Sequence, residues 1–447
     1  MPFDETIERA NPTGFFDTED ITMSIATIHR PGSARTIDRG ALLPGSAEYA
    51  AARARIVGDQ YPAAIVEAAS TADVQRAVIT ADRLGVPLTV RGTGHGSVAG
   101  VDGRLLLSTA AMTGVAVDPW RQVARIRAGA RWSAVIAAAA SYGLSPTSGD
   151  FPGVGVVGFT TGGGVGWLSR KYGYAADNLV SADLVTADGR LITASADDHD
   201  DLFWAVRGGS GNFGVITELE IALAPVSRVL SGTVNVPIDR AADFLRWFGD
   251  HADQVPDELT LAPTLRRSVD DHGPQLAIGA VWAGDVDYAA GALRVLRRVT
   301  GVDFGQELRS MPYAKINIPG TPPRGFELYD GLDEELIRAV IDAVAAPDGE
   351  AQALEFRHWG GATARPGIDH GPVGHRDVPF SIKINAEPAT VDRLADSATG
   401  KQFLNFLADP SRTRTAYRIT DYYRLRELKR RYDPANLLRP AHNILPA

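Results

Sequence analysis

The sequence predicts an α+β fold divided into at least two domains. Its 447 residues are too many for one ordinary domain, and 45% apolar with 22% charged residues are enough to form buried cores. Short strand-like and helix-like segments alternate from Ile56 onward. From about Ser227 the pattern changes to longer strands with alternating apolar positions. These observations indicate a mixed N-terminal module followed by a domain built on an antiparallel sheet.

The N-terminal module is predicted from segments of contrasting periodicity. Residues 1–27 have few periodic apolar positions and are expected to form an arm. Thr71 is the expected N-cap of a helix, and the buried strand Pro87–Val90 runs directly into the loop Arg91–Gly96, which is rich in glycine. A loop without β-carbons lets the backbone approach a ligand closely. The other elements predicted here are strands at Ala63–Val66, Val115–Val117 and Gln122–Arg127 and a helix at Ser133–Ser141.

The second domain is predicted at residues 227–409, between a first domain at 28–226 and a C-terminal segment at 410–447. No internal repeat and no linker of low complexity separates these parts. The segments that support the assignment are strands at Val229–Val236, Gln275–Trp282, Ala353–Phe356 and Phe380–Asn385, helices at Ala241–Ala252 and Tyr288–Val299, and a last helix at Tyr422–Tyr432.

Composition excludes several functional classes. The 45 basic and 54 acidic residues give a net charge of −9, without the basic face that a nucleic-acid-binding protein needs, so no nucleic-acid partner is expected. Cysteine is absent, which excludes disulfides, thiolate nucleophiles and iron–sulfur clusters, and no metal site is predicted. The sequence has neither a run of about 18 apolar residues nor a secretory signal, so we expect a cytoplasmic protein that does not bind membranes.

The density of glycine between Thr147 and Gly166 predicts a ligand site. Ordering each glycine costs conformational entropy, which a bound phosphate or dinucleotide would offset. A second segment, Gly209–Gly214, matches the GxGxxG spacing of dinucleotide-binding folds. It follows a helix-like run and precedes a strand-like one, the reverse of the Rossmann order, so the NAD-type interpretation is rejected. A cradle of several glycine loops, whose N–H groups bind a pyrophosphate, fits better.

Four ordered motifs resemble one known family. They are the loop Arg91–Gly100, the runs Gly158–Asn178 (GFTTGGGVGWLSRKYGYAADN) and Trp204–Ile216, and the ending Arg431–Pro446 (RYDPANLLRPAHNILP). Together they are similar to the berberine-bridge-enzyme-like FAD-linked oxidoreductases, a group within the vanillyl-alcohol-oxidase, or PCMH-type, flavoprotein superfamily. The resemblance covers about residues 56–447. It implies an FAD-binding module of two subdomains, a substrate domain on an antiparallel sheet, and a C-terminal segment that returns to the FAD module.

The resemblance also implies how FAD is held. His95 matches the histidine that the family attaches to the flavin 8α-methyl, and a nucleophilic imidazole flanked by glycines suits that bond. A loop histidine that only forms hydrogen bonds is the alternative. Many members attach flavin C6 to a cysteine as well, but Phe151 stands at that position, so a cysteinyl link is impossible here. The residues implied to contact FAD are Arg91, Gly92, Thr93, Gly94, His95 and Gly96 in the loop, Gly149, Val154, Gly155, Gly158, Gly162, Gly163, Gly164 and Gly166 in the glycine-rich segment, and Asp177, Asn178, Val215, Ile216 and Asn443.

A catalytic base is expected beside the flavin, because hydride removal from an alcohol is assisted by deprotonation of its hydroxyl. Tyr417 is the first candidate, since the family often uses tyrosine and the arginine-rich stretch 412–418 would lower its pKa. Tyr423 and Asp150 are the reserve candidates. The alternatives are a packing role for Tyr417 and a turn-stabilising role for Asp150. The residues that match substrate-facing segments of relatives are His358, Trp359 and Arg376.

The leading hypothesis is an FAD-dependent oxidoreductase, by default an oxidase. It would take a hydride from a C–H bond next to oxygen or nitrogen in a sugar, a secondary alcohol or a natural product. The expected partners are this small-molecule substrate and dioxygen. Two alternatives stay open: a redox-neutral flavoprotein cyclase of natural-product biosynthesis, and an NAD(P)H-dependent reductase with noncovalent FAD.

Overall fold

The computed structural model describes residues 40–56, 58–96, 100–267, 273–345 and 350–447, so the predicted arm at 1–27 lies outside the described residues. Its strands are β1 (Ala41–Leu42), β2 (Ala64–Glu67), β3 (Leu88–Arg91), β4 (Leu105–Ser108), β5 (Val115–Asp118), β6 (Val123–Arg127), β7 (Leu179–Val185), β8 (Leu191–Ser195), β9 (Val215–Ala222), β10 (Arg228–Pro237), β11 (Leu259–Arg267), β12 (Pro274–Trp282), β13 (Arg309–Pro312), β14 (Gly325–Tyr329), β15 (Ala351–His358) and β16 (Phe380–Ala386). Its helices are α1 (Ala47–Arg53), α2 (Thr71–Leu84), α3 (Trp132–Ala140), α4 (Val156–Thr161), α5 (Ser169–Tyr172), α6 (Asp200–Val206), α7 (Ala241–His251), α8 (Val286–Thr300), α9 (Phe304–Glu307), α10 (Glu334–Ala345), α11 (Pro388–Ala395) and α12 (Ile419–Tyr432).

Helix α2 shows how local sequence sets an element's limits. Ser70 is its N-cap, one residue before the predicted Thr71, and forms a reciprocal capping box with Asp73. Gly85 ends the helix in the left-handed conformation, with φ of 66°. The buried face of the helix packs against the strands that follow it.

Two sheets make up the N-terminal module. The first has the order β1-β2-β4-β3, in which β4 pairs in parallel with both β2 and β3. The second has the order β5-β6-β9-β7-β8 and is antiparallel. Leu88 and Leu105 of the first sheet share a core with Val185 and Val215 of the second, so the two sheets pack as neighbouring subdomains.

The third sheet is antiparallel and has seven strands in the order β13-β10-β12-β11-β15-β16-β14. Helices α7, α8 and α10 cover one face and enclose a large apolar core. On the other face, Ala262 and Val281 pack against Trp167 and Leu168, which come from the glycine-rich segment. The second face of the sheet therefore looks onto the N-terminal module, and the α+β fold class is confirmed.

The C-terminal segment returns to the first sheet. The Leu88 N–H donates to the Leu437 carbonyl at 2.8 Å, and the Arg439 N–H donates to the Leu88 carbonyl at 2.8 Å. The buried ammonium of Lys429 donates to Asp433 Oδ2 and to the Leu438 carbonyl, both at 2.7 Å. A buried charge is tolerated only when it is paired and hydrogen-bonded, so these contacts fix the tail firmly.

The GxGxxG segment binds this C-terminal tail. It lies between α6 and β9, the reversed order on which the Rossmann interpretation was rejected, and that rejection is confirmed. The Ile444 N–H donates to Asn212 Oδ1 at 2.8 Å, and Asn212 Nδ2 donates to the His442 carbonyl at 2.9 Å. The asparagine of the motif thus binds protein backbone. In the described ranges, the helices are all too short or too polar to cross a bilayer.

Candidate active site

A cavity of about 450 Å³ opens between the two sheets of the N-terminal module. Pockets that bind small molecules and cofactors have volumes of about 300 to 1,000 Å³. Residues 91–93 of the loop after β3 form one wall, together with Arg55 and Glu67. Residues 129–131, which precede α3, form the opposite wall. The predicted cofactor loop therefore lines a cavity of suitable size.

The backbone of this loop is free to bind a ligand. Among the described residues, no acceptor is found for any amide N–H from Gly92 to Gly96. Gly94 has φ of 76°, and a Cβ there would lie 2.5 Å from Arg91 Nε, so the turn requires glycine. Successive unbound N–H groups in such a turn suit an anion, and the diphosphate of FAD fits them.

The cavity is also positively charged. The guanidinium groups of Arg55, Arg91 and Arg131 line it, and Glu67, which pairs with Arg55 at 2.7 Å, is the carboxylate among its lining residues. Burial, and then the charge of Arg55, lowers the pKa of Arg91, which nevertheless stays protonated. Arg91 and Arg131 bind the backbone carbonyls of Arg55 and Gly153, respectively.

His95 lies at the end of the loop against an aromatic ring. Its imidazole stacks on Phe151, with ring centroids 5.6 Å apart and planes inclined by 23°. Both side chains are exposed, Phe151 to 60%. A Cβ at Gly155 would lie 2.9 Å from Thr93, so the two segments are in close contact here. The structure thus brings the predicted attachment residue together with Phe151, the position at which the resemblance implies a cysteine in many relatives.

Four charged residues meet on the sheet face that looks onto the module. Asp150 Oδ2 accepts from Arg357 at 2.7 Å and from Lys383 at 3.2 Å. Glu355 Oε1 accepts from the same two side chains, at 2.9 and 3.0 Å, and Glu355 Oε2 accepts from the Thr321 N–H at 2.8 Å. We call these four residues, Asp150, Glu355, Arg357 and Lys383, the charged cluster. Burial would raise the pKa of Glu355, but Arg357, Lys383 and the Thr321 N–H outweigh it and lower that pKa to about 2.

One oxygen of the charged cluster lacks a donor. Asp150 Oδ1 is buried and has no hydrogen-bond partner among the described residues. Leaving a buried acceptor unpaired costs about 1–3 kcal/mol. The position therefore suits a donor that the described residues do not supply. Asn443 Oδ1, near the end of the chain, is another of the buried oxygens without a partner among the described residues, and its contact to FAD stays a prediction.

The glycines at 162, 163, 164 and 166 do not form a diphosphate cradle. Their N–H groups donate to the carbonyls of Gly158 and Thr160, to Asn405 Oδ1 and to Ser169 Oγ. These amides are therefore used within the protein, and the predicted N–H role is wrong for them. Contact of this segment with the flavin ring stays a prediction, as it does for Gly149, Val154 and Gly158.

Several other predicted cofactor residues have structural partners. Asp177 accepts two hydrogen bonds from Arg376, at 2.6 and 2.9 Å, in a buried ion pair. Asn178 Nδ2 donates to two backbone carbonyls, those of Tyr172 and Tyr174. Val215 and Ile216 are buried core residues of β9. The ion pair gives Arg376 a structural role, and its contact with a substrate stays a prediction.

His358 does not face the charged cluster. Successive side chains of a strand point to opposite faces, so His358 lies on the face opposite Glu355 and Arg357. There it packs between Arg170 and Asp253, and burial, followed by the charge of Arg170, lowers its pKa to about 4. Trp359 is buried and donates from Nε1 to Ser381 Oγ at 2.6 Å. Both side chains therefore have packing roles, and contact of either with a substrate stays a prediction.

Tyr417 has the environment of a core residue. It is 5% exposed, and its hydroxyl donates to the Gly208 carbonyl at 3.1 Å. Burial, with a smaller effect of Tyr422, raises its pKa far above the usual value, which does not suit a base. Tyr423 is 56% exposed on α12. Asp150 is the one of the three candidate bases that belongs to the charged cluster, and it directly precedes Phe151, the residue that stacks on His95.

Sequence reasoning missed Glu355, Arg357 and Lys383. A usable signal was present, because charged residues alternate with Phe356 and Ile382 in otherwise apolar strands, which marks a polar face on a buried sheet. It also missed Arg131, the N-cap residue of α3. In the part of the chain that the structure describes, no three His, Asp or Glu side chains are arranged to hold a metal ion.

Comparison with known proteins identifies the class. A family model described as an FAD binding domain matches residues 62–195, and one described as berberine and berberine like matches residues 398–445. The (R)-6-hydroxynicotine oxidase of Paenarthrobacter nicotinovorans is 29% identical over 425 residues, which are 87% of this chain and 92% of that protein. The xylooligosaccharide oxidase of Thermothelomyces thermophilus is 34% identical over 194 residues, 42% of this chain and 39% of that protein.

Solved structures agree in fold. The crystal structure of 6-hydroxy-D-nicotine oxidase from Arthrobacter nicotinovorans matches with a TM-score of 0.76 at 25% identity, over 93% of this chain and 99% of that one. Berberine bridge enzyme from Eschscholzia californica matches with a TM-score of 0.77 at 19% identity, over 96% and 99%. Fold and site together define an FAD-linked oxidoreductase. The chain carries an FAD binding domain and a berberine-like C-terminal domain, and its relatives are berberine-bridge-enzyme-like FAD-linked oxidoreductases.

Proposed function

We propose that this enzyme carries FAD on His95 and oxidises a small molecule at a C–H bond next to oxygen or nitrogen, with dioxygen as the electron acceptor. When bound, FAD supplies the two-electron chemistry. The loop amides of residues 92–96 and the arginines of the cavity would hold its diphosphate. Because the chain has no cysteine, His95 is the attachment residue that this loop offers.

The observation that carries the proposal is the position of two adjacent residues. The Phe151 ring lies against His95, while the Asp150 carboxylate binds Arg357 and Lys383 on the large sheet. Phe151, which stacks on His95, and Asp150, which belongs to the charged cluster, are therefore joined by a single peptide bond. A substrate between the module and the sheet would contact both regions.

The charged cluster can orient the substrate and receive its proton. Arg357 and Lys383 fix Asp150 through Oδ2, which leaves Oδ1 as the oxygen without a donor. A substrate hydroxyl or ammonium group is a donor of the kind this oxygen lacks. Glu355 is less suited to this role, because both of its oxygens already accept hydrogen bonds within the protein. Asp150 is therefore our proposed proton acceptor.

Two measurements test the proposal. The first is acid precipitation of the purified protein, in which the flavin absorbance should stay in the pellet. The second is an anaerobic panel of hydroxylated pyridine alkaloids, monosaccharides and oligosaccharides, with flavin bleaching as the readout; the relatives include a hydroxynicotine oxidase and a xylooligosaccharide oxidase. At least one compound should bleach the flavin, and dioxygen should restore its colour.

The variant Asp150→Asn tests the role of Asp150 as proton acceptor while keeping the size of its side chain. We expect it to retain FAD and to be reduced by the same substrate at least about a hundredfold more slowly. Asp250→Asn, at an exposed position on α7, is the matched control and should behave as the parent protein. Bleaching by a nicotinamide coenzyme and by no substrate would favour the reductase. Turnover without any bleaching would favour the cyclase.

A further inference from the structure

We infer that Phe151 is a positioning residue that orients the His95 imidazole for attachment of the flavin. The inference rests on the proposed attachment at His95. It starts from the stacked pair, whose ring centroids are 5.6 Å apart. In the described part of the chain, this ring contact is what holds the imidazole, since no hydrogen bond or ion pair of His95 is found.

The segment that carries Phe151 is firmly anchored. The Ser133 N–H donates to the Pro152 carbonyl at 2.8 Å, and the Trp132 N–H donates to the Val154 carbonyl at 3.0 Å. Both donors belong to the first turn of α3, whose Trp132 is completely buried. The aromatic ring thus projects from a rigid support and remains 60% exposed.

The neighbouring sequence makes room for this ring. A Cβ at Gly153 would lie 2.6 Å from Phe151 Cε1 and 3.0 Å from Cζ, closer than real contacts allow. A side chain at position 153 would therefore displace the ring from the imidazole. Phe151 also stands outside the described apolar cores, so packing within a core does not explain its position.

Attachment needs a defined orientation of the imidazole. One C–N bond forms between the imidazole and the 8α-carbon, while one C–H bond of the 8α-methyl and the imidazole N–H bond break. The two protons and two electrons that are removed pass to dioxygen and yield hydrogen peroxide. A ring that rotates freely on a glycine-rich loop spends little time in the reactive orientation, and the stack with Phe151 restricts that rotation.

The experiment follows attachment itself and not turnover. Apoprotein is mixed with FAD in air, samples are precipitated with acid over time, and flavin absorbance in the pellet is measured. Phe151→Ala should slow the appearance of bound flavin about three- to tenfold, which is the factor that a ring–ring contact provides. Phe151→Tyr keeps the ring and should attach flavin at the parent rate. Gly153→Ala should slow attachment although Phe151 is retained.

The outcomes separate this inference from the proposed function. Equal rates for the parent protein and Phe151→Ala would overturn the positioning role and leave attachment at His95 intact. Flavin that the parent protein releases into the acid supernatant would overturn attachment, and the inference with it. Total FAD binding and the melting temperature are measured for each variant, because a purely structural effect would lower both and would not be rescued by tyrosine.

Discussion

Asp150 of the N-terminal module and Glu355 of the large sheet bind the same two cations, Arg357 and Lys383. Arg357 also lies over the ring of Trp167, with its guanidinium carbon 4.2 Å from the ring centroid. Charge, hydrogen bonding and aromatic contact thus join the two domains. The stability of this contact should therefore depend on the ionisation of Glu355.

Stability should fall at acid pH through Glu355. Its pKa is lowered from 4.5 to about 2 in the folded protein, so its contribution is complete above about pH 5 and is lost as the pH falls towards 2. The shift corresponds to about 3 kcal/mol. We expect the free energy of unfolding in urea to decrease across this range.

Glu355→Gln provides the control for this pH dependence. The variant should be less stable than the parent at neutral pH, because two buried cations lose a partner. It should also lose less stability between pH 5 and pH 2. An identical pH profile for both proteins would assign the acid sensitivity to other carboxylates.

His95→Ala should bind FAD without a covalent bond. The loop amides and the positive cavity remain in this variant, and they are expected to provide most of the affinity. Acid precipitation should then move the flavin from the pellet to the supernatant, and turnover should fall. Retention of flavin in the pellet would show that another residue is attached.

Arg131→Ala, made in the His95→Ala protein, should weaken noncovalent FAD binding by about tenfold, as loss of a charge-assisted contact to a phosphate would. Riboflavin, which lacks the diphosphate, should bind both proteins equally. Fluorescence titration measures both affinities. If riboflavin lost affinity by the same factor, Arg131 would contact the isoalloxazine ring and not the diphosphate.

Gly163→Val should destabilise the whole fold, and not only FAD binding. Gly163 has φ of 117°, and a Cβ there would lie 2.8 Å from the Phe403 ring. Backbone strain and overpacking together should cost at least about 2 kcal/mol. Gly158→Ala is the matched control, because space is open at Gly158 and alanine favours its helix. Thermal unfolding should distinguish the two variants clearly.

Tyr417→Phe should leave flavin reduction unchanged. The hydroxyl is buried and donates to the Gly208 carbonyl, so its removal should cost about 1 kcal/mol of stability. Stopped-flow reduction and urea unfolding measure the two effects. A reduction rate that falls a hundredfold with FAD still bound would restore Tyr417 as the catalytic base.

Much of the fold could be predicted, because amphipathic periods are local. Strands such as β10 and β12 and helices such as α7 and α8 lie within two residues of their predicted limits. The long strand β11 and helix α10 were not predicted.

The site was predicted less completely, because its geometry depends on contacts between distant residues. Loop Arg91–Gly96 could be recognised from its own glycines. The ion pair of Asp177 with Arg376 could not, since nearly two hundred positions separate them. Likewise, the burial of Tyr417 depends on how α12 packs, which the adjacent arginines do not reveal.

The return of the C-terminal segment has a consequence for the order of folding. Thr89 Oγ1 on β3 donates to the Arg439 carbonyl, 350 positions further along the chain. The edge of the first sheet therefore lacks its neighbour until nearly the whole chain has left the ribosome. A fragment that ends before residue 420 would expose this edge, and unpaired strand edges promote aggregation. Residues 419–447 supplied as a separate peptide should then increase the soluble yield of that fragment.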